Sequence, residues 1–271
     1  MIFAHGLGGR DLTLKLLSSL DWQQKGFQIG CRVEHLQEWV DRRQYRIAPR
    51  PGCLGAAEYH LAMKSRGEAA GSGVTTFCMC PGGEVVPATA WTGQLSSNGM
   101  SLRARDGRYA NAAVITTLPP ETFSGPGQAY EFLRELEARC FAAGGGDYAF
   151  PAQSIESFLR RRTALEQPEA SPRLGIRPAP LFELLPPAAA RRFAEAFRYF
   201  EHLMPGFRTG NAIGIESCVS SPVRFTRHPE TLETSVKHVY VAGEGAGYAG
   251  GIVSAAVDGL RIAEKLLAAT P

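Results

Sequence analysis

The segment that most restricts this chain is its last stretch. A short apolar run, Val239-Tyr240-Val241-Ala242, meets a glycine-rich turn from Gly243 to Gly251 and then an apolar helical pattern reaching Leu267. Such an order predicts a buried strand, a tight turn and a helix. Within the turn, Gly245-x-Gly247-x-x-Gly250 has the spacing that lets backbone approach a pyrophosphate at a helix N-terminus. That fingerprint normally opens a sheet, with a second parallel strand and an acidic residue about 20 positions further on to hold a ribose. Because the sequence stops at Pro271, the motif is expected to close a sheet instead.

The same elements suit another ligand. Glu244, directly past the strand, is placed to accept hydrogen bonds from sugar hydroxyls, and the glycines let a helix starting near Ile252 aim its positive end at an electron-rich ring. Aligned peptide dipoles put roughly half a positive charge there, which favours the negative charge a reduced flavin gathers near N1 and its carbonyl. The competing reading is a glycine turn that only packs helix on sheet. A Gly-Glu pair behind a buried strand favours the flavin.

At 271 residues, with 44% hydrophobic and 20% charged side chains, the chain can bury one large core or two ordinary ones. No apolar run approaches the roughly 20 residues of a membrane helix, and no basic-then-apolar leader opens the sequence. A cytoplasmic protein without a membrane partner is therefore expected. A formal charge of +3 is too small to imply nucleic acid, and the one dense basic run, Arg160-Arg161-Arg162, reads as a solvated helix end. The six cysteines lack paired metal-ligand spacing and read as reduced thiols. No Ser-His-Asp order emerges, and His5, His35 and His60 read as structural.

Met1 to Ala4 reads as a buried strand and Asp11 to Leu20 as a short helix. Phe27, Ile29, Cys31 and Val33 alternate with Gln28, Gly30 and Arg32, the period of a half-buried strand; further strands are expected at Val74 to Met79, Glu84 to Thr89 and Asn111 to Leu118. Gln128 to Ala143 has helical spacing and ends in Gly144-Gly145-Gly146, a stop signal. Residues 160 to 187, rich in proline, read as a loop or linker. Phe193, Phe197, Phe200 and Met204 line the core face of another helix.

Chemistry in the middle of the chain centres on Cys78-x-Cys80. A thiol beside a flavin could attack a substrate or relay electrons, and Gly82-Gly83 would leave room for a ring. Against this, cysteines are often simply buried, and residues two apart on a strand share a face. Contact with flavin or substrate is the favoured role. Arg224, in Ser220-Ser221-Pro222-Val223-Arg224, offers a planar fork for a carboxylate or phosphate. Asn98-Gly99 is first of all a turn signal.

Val239 to Ile252 resembles the closing FAD motif of a family of uncharacterised bacterial FAD-dependent dehydrogenases, within the two-dinucleotide-domain flavoproteins. Phe27 to His35, Phe77 to Gly83, Asn98 to Ser101 and Ser220 to Arg224 are similar to the same family, as is Ala4-His5-Gly6-Leu7-Gly8-Gly9-Arg10-Asp11, where His5 replaces a threonine. The resemblance implies an α/β protein with an α+β insertion: an incomplete FAD-binding, Rossmann-like domain (1–22 and 205–271) carrying an inserted β-rich substrate domain (23–204), its proline-rich linker near 160–187. It implies FAD held by Gly6, Arg10, Gly243, Glu244, Gly245, Ala246, Gly247, Tyr248, Ala249, Gly250, Gly251 and Ile252. It implies a small-molecule substrate faced by Met79, Pro81, Gly82, Gly83, Asn98, Gly99, Met100, Ser221 and Arg224, with Cys78 and Cys80 as candidate catalytic thiols. The family's N-terminal Gly-x-Gly-x-x-Gly segment has no counterpart here, so the chain is expected to be a C-terminal portion whose other half is missing or a separate subunit. The expected activity is a dehydrogenase working by hydride transfer at flavin N5. Two rivals stand beside it: a non-catalytic remnant or interaction module that has lost FAD, and a flavin-free thiol redox protein using Cys78 and Cys80.

Overall fold

The computed structural model describes residues 1–64 and 73–268. In chain order the elements are β1 (Ile2–Phe3), α1 (Arg10–Leu16), β2 (Trp22–Gln24), β3 (Phe27–Leu36), α2 (Gln37–Tyr45), β4 (Ala62–Met63), β5 (Val74–Cys80), β6 (Gly83–Pro87), β7 (Ser97–Ser101), β8 (Tyr109–Leu118), α3 (Pro126–Ala143), β9 (Phe150–Ser154), α4 (Ile155–Arg160), β10 (Ile176–Pro178), α5 (Leu181–Leu184), α6 (Pro187–Leu203), β11 (Asn211–Glu216), β12 (Val223–Phe225), β13 (Tyr240–Val241) and α7 (Ile252–Ala268). Helices alternating with a mixed sheet of seven strands make this an α/β chain.

Two units can be distinguished: Met1–Gln28 with Leu118–Leu133 and Cys218–Pro271, and Ile29–Thr117 with Arg134–Ser217. The sequence placed the divisions at 22/23 and 204/205. Segment 118–133 joins the termini because the Phe123 and Phe132 rings lie 5.4 and 6.4 Å from Phe27, and Gln24 Nε2 donates to the Pro120 and Phe123 carbonyls.

In the first unit β1 pairs in parallel with β13, so the two ends of the sequence form one two-stranded ladder. Leu16, Leu20, Val223, Phe225, Val241 and Ala246 make its main core, and Tyr240, Ala242 and Ile262 a smaller one under α7. The buried strand expected at Met1 to Ala4 is instead exposed along its start, with Met1 75% and Ile2 53% accessible. β1 pairs with β13 alone among the described residues, so it is an edge strand and its first residues stay accessible.

In the second unit the strand order is β10-β9-β11-β3-β8-β5-β4. β10 runs parallel to β9; β11 is antiparallel to β9 and β3, and β5 is antiparallel to β8 and β4. β3 is not half-buried, as its alternation suggested. Every residue from Ile29 to His35 is buried, because a strand in the middle of a sheet is covered on both faces. Gly30 is required there: a Cβ would stand 1.9 Å from the Val114 carbonyl oxygen. The α6 stripe is core as expected, with Phe197 set against Phe158 at 5.3 Å and Phe200 against Phe207 at 5.5 Å.

Two further expectations change. The stretch 160–187 is no plain linker, since Ile176–Pro178 adds an edge strand to β9 and Leu181–Leu184 forms a helical turn. Asn98-Gly99 is not a turn but lies inside β7, paired with Val86 and Val85 of β6.

Candidate functional site

Two constellations carry the residues singled out by sequence, one in each unit. In the first, β13 ends at Val241 and the chain turns at Gly243, whose φ of 77° excludes ordinary side chains. The turn is held from outside itself. Asp258 Oδ2 accepts the Gly243 N–H at 2.8 Å, while both Asp258 oxygens accept from the Arg227 guanidinium at 3.1 and 2.8 Å. Arg227 Nη1 also donates to the Val241 carbonyl at 3.1 Å, and its guanidinium lies 3.4 Å from the centre of the Tyr248 ring. Burial alone would push the Asp258 carboxyl up; the hydrogen bonds from Arg227 and Gly243 outweigh it and hold the group below its ordinary value.

The glycines divide by task. A Cβ on Gly245 would meet the Gly6 carbonyl oxygen at 2.4 Å, and one on Gly247 the Val223 carbonyl oxygen at 2.2 Å, so these two glycines make room for the chain's own backbone. Gly6, Gly8 and Gly250 have nothing within 4 Å of a Cβ position, and Gly251 only Ser254 Oγ at 4.0 Å. Each of these positions thus borders open space, two in the loop after β1 and two just before α7. Ala246 and Ala249 are buried, whereas Ile252 is 91% exposed. Glu244 is half-buried, and among the described residues no hydrogen bond or ion pair reaches its carboxylate, which burial pushes above its ordinary pKa. Arg10, at the start of α1, is buried and donates to Cys218 Sγ at 3.2 Å. Arg224 donates to the Gly247 carbonyl at 3.2 Å, and the buried Ser221 shares a hydrogen bond with Tyr130.

The second constellation is built on Arg32, which is wholly buried in the middle of β3. Its Nε and Nη2 donate to Glu216 of β11 at 3.0 and 3.2 Å, Nη1 donates to the Cys78 carbonyl at 2.8 Å and Asn111 Oδ1 at 3.1 Å, and Nη2 donates to Asn98 Oδ1 at 3.0 Å. Burial pushes the Glu216 carboxyl up against the pull of Arg32.

This centre shapes the Cys78 to Gly83 segment. The β5–β8 register shifts between Phe77 and Cys80, and Cys78 has φ 42°, which turns its carbonyl onto Arg32. The bulge breaks the strand alternation, so Cys78 is exposed and Cys80 partly buried rather than side by side. Burial raises the Cys80 thiol pKa, against the pull of Arg32. Cys80 thus stays a protonated thiol near neutral pH. Gly99 is obligatory, because a Cβ would lie 2.2 Å from Asn111 Oδ1, 2.5 Å from Arg32 Nη1 and 2.9 Å from Cys80 Sγ.

The Cys78 carbonyl, Cys80 Sγ, Asn98 and Gly99 therefore converge on Arg32, while the side chains of Cys78 and Met100, the latter 62% accessible, are exposed. Met79 turns elsewhere, its sulfur accepting the Tyr59 N–H, and Pro81 accepts from Ser101 Oγ. Gly82 and Gly83 leave no open room of the kind their sequence suggested: a Cβ on either would strike the Arg105 or Met100 backbone at 2.3 and 2.6 Å. Ser221 and Arg224 belong to the first unit and the rest of the expected substrate group to the second.

Arg227 and Asp258 were not singled out by sequence, nor were Arg32, Glu216 and Asn111. The available signal was a charged residue flanked by apolar ones in a strand, Arg32 between Cys31 and Val33 and Glu216 after Ile215, since a buried charge needs a partner.

The family described as FAD-dependent protein, C-terminal domain-like, matches residues 26–218. The chain belongs to that family. An uncharacterized protein of Clostridium beijerinckii is 39% identical over 275 residues, covering 98% of this chain and 51% of the relative. The chain thus spans about half the length of the curated relative it matches. Among the described residues no helix is long and apolar enough to cross a membrane.

Proposed function

We propose that this chain is the part of a FAD-dependent oxidoreductase that binds the flavin end of the cofactor and presents a substrate face. The observation that carries the reading is Glu244, a half-buried carboxylate without a partner, set after a parallel strand and before a helix N-terminus, with open space over Gly6, Gly8 and Gly250. A partly desolvated carboxylate is costly unless a ligand's hydroxyls donate to it. Glu244 would accept hydrogen bonds from the ribityl chain, and the N-terminal peptides of α7 would face the electron-rich end of the ring. Arg227 and Asp258 fix the backbone of the turn for that purpose. When bound, FAD supplies a hydride acceptor or donor at its N5.

In the second unit, Arg32 acts as a positioning residue. It holds Asn98, Gly99 and the Cys78 carbonyl in one arrangement, and the exposed Asn98, Met100 and Cys78 are the atoms offered to a small-molecule substrate. Cys80, as a protonated thiol, serves as a contact and not as a nucleophile. The pyrophosphate and adenosine of FAD are assigned to a further segment or subunit, in keeping with the length of the relative.

Titration of the chain with FAD, alone and together with a polypeptide corresponding to the rest of the longer relative, tests the reading by visible absorption and flavin fluorescence. The unaltered chain is expected to retain a flavin band, and Glu244→Ala to weaken FAD binding by about tenfold, the worth of one charge-assisted hydrogen bond. Equal affinity of the variant would overturn the role of Glu244. No band under either condition would overturn the flavoprotein reading and leave an interaction module.

A further inference from the structure

α4 ends at Arg160, and the reversal that follows is sharp. Arg161 takes a left-handed φ of 52°, with its N–H on the Phe158 carbonyl and the next N–H on Ser157. Beside this corner, α6 presents Arg191, Ala194, Glu195 and Arg198, which are three, four and seven residues apart and so share one face. Between them lies a groove of about 310 Å³. Its apolar lining is the half-buried Phe182, whose ring crosses that of the buried Phe158 at 88°, with the buried Ala190 beside them.

Four arginines and one carboxylate, Glu195, line this groove. Arg160 is bonded to Glu156 at 2.6 Å. Among the described residues, the side chains of Arg161, Arg191 and Arg198 make no hydrogen bond or ion pair. Offsetting the negative end of α4 and pairing with Glu156 account for Arg160, but Arg161 has no side-chain partner among the described residues and Arg191 and Arg198 stand on a different helix. Three uncompensated cations against one carboxylate leave two positive charges, which a dianion matches.

We propose that this groove binds a phosphomonoester carrying a flat apolar body of mononucleotide size. A phosphomonoester has a charge near −2 at neutral pH, and its oxygens fit the guanidinium fork. The volume is near the lower end, about 300 Å³, of small-molecule sites, which sets the size of the body. The groove lies within the second unit, and the proposal stands independently of the flavin.

Calorimetric titration of the full chain at low salt with AMP, adenosine and inorganic phosphate tests it. AMP is expected to bind saturably, and adenosine and phosphate each about tenfold or more weaker, because each lacks half of the recognised chemistry. Arg191→Gln/Arg198→Gln is expected to weaken AMP by about tenfold or more without changing Tm, both side chains being solvent-exposed. Ala194→Glu, which adds a carboxylate and removes no arginine, should weaken AMP likewise and guards against an unstable double variant. Absence of saturable AMP binding, or an affinity equal in the variants, would overturn the site. Phosphate binding as tightly as AMP would overturn the apolar body.

Discussion

Each unit contains a buried arginine–carboxylate pair, and the two pairs do different work. Arg227 and Asp258 are 31 residues apart and hold backbone: the Gly243 N–H on one side and the Val241 carbonyl on the other. Arg32 and Glu216 are 184 residues apart and join neighbouring strands, with Asn98, Asn111 and the Cys78 carbonyl filling the remaining donors of Arg32. The first pair stiffens a turn that local sequence already favours. The second fixes a core and a surface patch that no local segment could specify. Buried charge is thus a local brace in one unit and a register device in the other, where a slipped strand would strand an unpaired ion.

The comparison breaks most plainly at Arg32. Arg32→Met would leave the Glu216 carboxylate buried without its partner and take the donor from three further acceptors. The expected loss is about 3–5 kcal/mol, a large part of a typical domain's stability. Arg32→Met/Glu216→Met should recover much of it, since removing both charges also removes their desolvation cost. Urea midpoints at constant slope measure both. A single variant within about 1 kcal/mol of the parent, the worth of one ordinary hydrogen bond, would show that Arg32 does not organise this core.

Asp258→Asn probes the other pair and should cost less, about 1–3 kcal/mol, because Asn can still accept from the Gly243 N–H. The pH dependence follows from the sign of the shift. Asp258 is held below its ordinary carboxyl value, so its stabilisation is present above pH 3.8 and disappears as pH falls through the lower folded value. The difference between parent and variant should therefore close in acid. Hydrogen exchange of residues 240–260 reads this locally; a gap that persists at the lowest pH would deny the carboxylate its role.

The same contrast explains what the sequence disclosed. The strand, turn and helix at 239–268 were legible because all their determinants lie within thirty residues: an apolar run, a positive-φ glycine and a helical period. Even there, the clamp from Arg227 was hidden, since nothing in the spacing ties it to Asp258. In the second unit the α6 stripe was legible for the same local reason. The Arg32 centre was not, because alternation in β3 resembles a half-buried strand unless the neighbours on both sides are known. Asn98-Gly99 misled in the opposite direction, with Gly99 demanded by Asn111 Oδ1 and Arg32 rather than by a turn.

The smallest expected effect sharpens the comparison at the surface of α7. Asp258 and Ile262 face inward, yet Ile252, Val253 and Leu260 remain 91%, 77% and 65% exposed, so this helix is apolar on both sides. In the second unit an apolar residue such as Ile213 is wholly buried, and a charge there would be ruinous. Leu260→Lys should change the folding stability of the chain by no more than about 0.5 kcal/mol, the range of surface substitutions. It should also reduce concentration-dependent association, because exposed apolar faces of this kind drive contact with other surfaces. Chemical denaturation and light scattering on the same samples separate the two outcomes. A loss of stability above about 2 kcal/mol, the scale of a buried leucine, would mean that the outer face of α7 is covered within the folded chain and that the first unit is internally as complete as the second.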